Sequence, residues 1–79
     1  MKIKTIYKKL SALYEELDIL IDYLNEKKRA IEDNAFDKDR EMTEREEEQY
    51  NDLDDKIEWF GYCLNHLADA IYDIEEYAE

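Results

Sequence analysis

The chain has no proline and a single glycine, Gly61. These two residues make most tight turns, so a sheet built from many hairpins is not expected. Cys63 is the only cysteine, which excludes an internal disulfide. His66 is the only histidine. Long apolar runs are missing as well: Asp18 and Asp22 interrupt the most apolar stretch, Leu17 to Leu24. Neither a transmembrane span nor a signal-peptide core is therefore expected, and the expected location is the cytoplasm. Positive charge is scarce. Against 11 Lys and Arg stand 23 Asp and Glu, a formal net charge of −12. Nucleic acid and anionic membranes would repel such a chain, so a basic partner is the expectation.

What remains is strongly patterned. Hydrophobic residues make up 44% of the 79 positions, too many and too regular for a disordered acidic tail. Ile3, Ile6, Leu10, Leu13, Leu17, Leu20 and Leu24 step by three and four, and Ile31 keeps the register with Lys27 in the place between. With Ile3 at position a, this is an a/d heptad seam, and Tyr7, Tyr14 and Ile21 widen it at e. The second half repeats the pattern with Tyr50, Leu53, Ile57, Phe60, Leu64, Leu67, Ile71, Ile74 and Ala78. The spacing predicts an all-α fold in one domain: a helix over about 2–33, an acidic loop at 34–43 and a helix over about 44–77. Asn34 is the expected C-cap. Thr43-Glu44-Arg45-Glu46 reads as a capping box.

Charge placement favours an antiparallel hairpin. Lys27, Lys28 and Arg29 lie near the end of the first helix, and Glu44, Glu46, Glu47 and Glu48 open the second. Lys2, Lys4, Lys8 and Lys9 should meet Asp69, Asp73, Glu75 and Glu76 at the other end. A turn near Lys38 would set Leu10 against Leu67, Leu17 against Phe60 and Leu24 against Leu53. Such a hairpin leaves apolar residues over: Ile19, Tyr23 and Ala30 on the first helix, Trp59, Tyr62, Cys63, Ala70 and Tyr77 on the second. Gly61, Cys63, Ala68 and Ala70 are small enough for another backbone to approach. A homodimer forming a four-helix bundle is the expected way to cover them.

No catalytic motif can be placed, so no enzyme and no cofactor are expected. Cys63 and His66 lie one turn apart, but a mid-helix site has no free N–H groups to hold an oxyanion. The same two residues are weak candidates for zinc, because one Cys and one His are too few to close a site. A carboxylate di-metal bundle needs Glu-x-x-His, and Cys63 stands where that Glu should be. An EF-hand frame begun at Asp33 puts Lys38 in place of the glycine, and one begun at Asp37 puts Met42 there.

The informative feature is where the acid sits. Residues 1–31 carry a net +2, residues 32–58 a net −9 and residues 59–79 a net −5. Rows of carboxylates on a rigid helix imitate the spaced charge of a nucleic-acid backbone. In size, charge and lack of catalytic motif the chain resembles the small acidic proteins with which phages inhibit host nucleases, including anti-CRISPR and DNA-mimic inhibitors. That resemblance implies a blocker of a basic nucleic-acid-binding surface, working in the host cytoplasm. The hairpin also resembles the RNA-binding Rop-type dimer in architecture, without the positive face that activity needs. The expected partner contacts are Glu47, Asp54, Asp55 and Glu58, with Trp59 and Tyr62 as anchors. The alternative is a structural helical-bundle assembly protein whose seams are its function.

Overall fold

The computed structural model describes residues 2–77, so Met1, Ala78 and Glu79 lie outside the described residues. Two helices, α1 (Ile3–Asp37) and α2 (Glu44–Glu75), pack against each other as a hairpin, and no strand occurs among the described residues. Their 35 and 32 residues, at about 1.5 Å of rise each, account for a rod of 56 × 16 × 16 Å.

The seam on α2 follows the sequence. Tyr50, Leu53, Ile57, Phe60, Leu64, Leu67, Ile71 and Ile74 are all half-buried. On α1 the seam turns away from the a/d expectation. Residues Tyr7, Leu10, Tyr14, Leu17, Ile21, Leu24, Lys28, Ile31 and Ala35 face α2, which is the a and e set. The d residues Leu13 and Leu20 are left 51% and 39% exposed. Lys28, not Lys27, takes the polar place in the stripe. Both flanks of α1 are apolar, but a single neighbouring helix can cover only one of them.

The register also differs. Lys28 Nζ reaches Asp54 at 2.7 Å, and Tyr50 donates its hydroxyl hydrogen to Glu32 at 2.6 Å. Leu10 is therefore level with Ile71, Leu17 with Leu64 and Leu24 with Ile57, a step beyond the turn near Lys38. The cause is a longer first helix. Asn34 does not cap it, for its carbonyl accepts from Lys38 N–H inside a further turn. Lys27, Lys28 and Arg29 thus lie too far from the end to meet the helix dipole, which acts within the last turn. Their expected pairing with Glu44 to Glu48 gives way to Lys28–Asp54. Among the described residues no ion pair joins Lys4, Lys8 or Lys9 to Asp69, Asp73 or Glu75.

The turn is held by two complementary devices. Asp39 N–H donates to the Phe36 carbonyl and Arg40 N–H to the Ala35 carbonyl, with Asp39 left-handed at φ 50. This is a Schellman ending with aspartate where glycine is usual. At the start of α2 the capping box forms as read: Thr43 Oγ1 accepts from Glu46 N–H, and Glu46 Oε1 accepts from Thr43 N–H. Glu46 then ties the two ends together. It accepts from the Arg40 guanidinium at 2.6 Å and from Asn34 Nδ2 at 3.2 Å. Arg40, then the Thr43 backbone, hold its carboxyl down at about 2.

Two outcomes follow from the turn. Asp39→Gly removes both the left-handed strain and an anion at a helix C-terminus. It should stabilise the fold by about 0.5–1.5 kcal/mol, read as a higher denaturation midpoint in urea. Because the Glu46 pKa is depressed in the fold, its contribution is complete above the ordinary value of 4.5 and is lost as pH falls toward 2. The stability gap between the wild type and Glu46→Gln should be widest near neutrality and close across that window; a gap independent of pH would contradict the clamp.

Candidate functional site

α2 carries one set of functional candidates on a single outward strip. Asp55, Glu58, Trp59 and Tyr62 follow i, i+3, i+4, i+7 spacing, which lines them up along one side of a helix. Those four positions alternate with the half-buried seam, so the strip points away from α1. All four side chains are exposed, Trp59 by 68% and Tyr62 by 51%. The two rings meet edge to face with centroids 6.1 Å apart and planes at 77°. The positive edge of one aromatic ring against the negative face of another favours this arrangement. Tyr62 also donates its hydroxyl hydrogen to Glu58 Oε1 at 3.2 Å. The result is a two-ring platform with a carboxylate anchored at its rim.

The other two candidates lie elsewhere. Asp54 projects toward α1, where Lys28 neutralises it. Glu47 sits in the first turn of α2, exposed, with its charge toward the positive end of the helix dipole. Four of the six expected contacts therefore share a surface, and two do not. Lys56, one turn before Trp59, is paired with Asp52 at 2.9 Å, so the strip keeps an acidic character.

Cys63 and His66 are both exposed on the neighbouring side of α2. Among the described residues, no three His, Cys, Asp or Glu side chains come together in a group able to hold a metal ion. Among the described residues, grooves run as open channels along the two sides of the hairpin.

A polar cluster that the sequence reading missed lies nearer the turn. Lys28 Nζ sits 4.9 Å above the Tyr50 ring while bonded to Asp54, and the Tyr50 hydroxyl is bonded to Glu32. The bond to Asp54 raises the Lys28 pKa, and the bond to Glu32 raises that of Tyr50. The cluster crosses from one helix to the other and fixes their register. Its signal in the sequence was a lysine at an e position of an otherwise apolar stripe.

No family model matches the chain, and neither a curated protein nor a solved structure matches it.

The strip has a direct optical test, since Trp59 is the only tryptophan. Carboxylates concentrate cations and repel anions at the ring. Caesium should quench its fluorescence more strongly than iodide, and Asp55→Lys with Glu58→Lys should invert that order. Equal quenching by both ions would remove the acidic character of the strip.

Proposed function

We propose that this chain is a non-enzymatic acidic interaction module that binds a positively charged protein surface through the outward strip of α2. One observation carries the reading: the Trp59–Tyr62 pair stands exposed and pre-arranged beside Glu58, with Asp55 one turn before Trp59. Aromatic residues with few rotatable bonds dominate interface energy because little freedom is lost when they are covered. The surrounding carboxylates steer a basic partner and set orientation. The finer form of this proposal is a small inhibitor of the phage type, in which the strip occupies a nucleic-acid-binding site on its target. Net charge −12 on a rod 56 Å long supports that form, because the charge is spread along an axis as on a nucleic acid.

A second reading concerns assembly, and the thinness of the interior favours it. Among the described residues only Leu24 and Ala35 are buried, and no side chain is fully enclosed. Small helical domains reach useful stability only with many enclosed apolar residues per chain. We therefore propose that the working unit is a homodimer, two hairpins forming a four-helix bundle, with the outward strips of α2 left free.

The binding proposal predicts a loss confined to one strip. An affinity capture from extract, at low and at high salt, should retain a basic protein that Asp55→Lys with Glu58→Lys releases. Trp59→Ala should weaken the same capture by about 2 kcal/mol or more, as expected of an interface anchor. Capture that survives both changes and high salt would dismiss the strip as the contact.

A further inference from the structure

The two sides of the hairpin are not equivalent. One side shows the uncovered d residues of α1. A groove there is lined by Leu13, Glu16, Leu17, Leu20 and Leu67. Tyr23 on α1 and Cys63 and Ala70 on α2, all exposed g positions, flank the same side. The opposite groove is lined by Ser11, Tyr14, Ala68 and Tyr72.

The accessible surface of the chain is 6491 Å². A compact monomer of 9.6 kDa would expose about 5100 Å². The excess of about 1400 Å² is what one partner loses in a large dimer interface, which buries roughly 1000–2500 Å² on each side. A second copy is an occupant of the right size.

Charge decides which side it covers and in which direction. Lys28 beside Asp54 and Glu32 beside Tyr50 fix which α1 and α2 positions are level. In that register Lys9 is level with Asp73 and Glu16 with His66. All four are c or g positions on the Leu13–Leu20 side, turned away from the α1–α2 seam. None of these couples is bonded within the chain. They would meet if α1 of one copy lay on α2 of another at the same level, which a two-fold axis along the rod produces. The alternative, an axis across the rod, would set acidic α2 against acidic α2. The opposite side of the hairpin is unsuited to stacking, for it carries Asp18, Glu32, Glu47, Glu58 and Glu75 against Lys4 and the already paired Lys28.

We infer that a second copy of this chain covers the side formed by Leu13, Leu20, Tyr23, Leu67, Cys63 and Ala70, each α1 packing on α2 of the other copy about a two-fold axis parallel to the rod. This rests on the homodimer reading above and adds to it a face and a direction. It leaves Asp55, Glu58 and Tyr62 outside the interface and puts Trp59, one heptad before His66, at its edge.

The lone cysteine makes the face testable in the full chain. Sedimentation equilibrium should give twice 9.6 kDa at micromolar concentration. Under the same conditions maleimide should react with Cys63 at least about tenfold more slowly than in the urea-denatured chain, because access controls thiol reactivity. A dimer whose Cys63 reacts as fast as in urea would overturn the face and leave the homodimer reading standing; a monomer throughout would overturn both. Direction is read from a charge exchange at exposed positions that make no ion pair within the hairpin. Lys9→Glu and Asp73→Lys should each weaken the dimer about three- to thirtyfold, since each change acts twice in a symmetric pair, and the double exchange should restore it. Weakening without restoration would overturn the direction.

Discussion

One helix can cover only one side of another. Every feature of this hairpin follows from that limit, because both helices carry apolar stripes broader than a single neighbour can bury. Beyond Ile3 at the open end, the a residues of α1 are buried or half-buried, and the flanks at d and e compete for the remaining contact. The e flank wins, and Leu13 and Leu20 are left in solvent. The cost is visible in the interior: among the described residues Leu24 is the one large side chain that is buried. Covering one such side chain stabilises by roughly 1.5–3 kcal/mol. Leaving two or three others half wet forfeits a comparable sum, which is large against the usual net stability of a domain.

The turn converts this weak seam into a defined structure. A stripe of Leu and Ile can slide by one heptad with little change in burial, so something else must set the register. Here the polar groups do so. Arg40, Asn34 and Thr43 converge on Glu46 at the turn, and Lys28, Asp54, Tyr50 and Glu32 converge farther along. Each bond is at or near the surface and contributes modestly. A shift of one heptad would break all of them together, so their joint effect is specificity more than strength.

The sequence made the two helices and their antiparallel sense legible, since steps of three and four persisted through both halves. Thr43 and Glu46 announced the start of α2 through a spacing with a definite hydrogen-bonding purpose. The end of α1 was not legible. Asn34 is a common terminator, but here its side chain serves Glu46 while the helix runs on to Asp37. The choice between d and e on α1 was equally hidden, because Leu13 and Leu20 on one flank and Tyr14 and Ile21 on the other are similar in hydrophobicity. Only the second helix, seen in space, decides between them. Of the candidate contacts, the shared face of Trp59 and Tyr62 was readable from spacing alone. The withdrawal of Asp54 was not, for it depends on Lys28, distant in sequence and placed by the register.

The division of charge between surfaces ties the proposed functions to the fold. A chain of net charge −12 resists self-association unless its carboxylates are kept off the contact. The Leu13–Leu20 side mixes Lys9 and Lys56 with Glu16, Asp52 and Asp73, whereas the outward strip and the opposite side carry most of the acid. Such a partition would let one small rod serve the two proposed surfaces. The side of mixed sign would match its own copy when turned about the long axis, and the acidic strip would repel that same copy. A basic protein would face the reverse preference, attracted by the strip and indifferent to the mixed side. Like-charge exclusion, more than any attractive contact, is therefore what would keep the two kinds of docking from competing on a molecule only 16 Å thick.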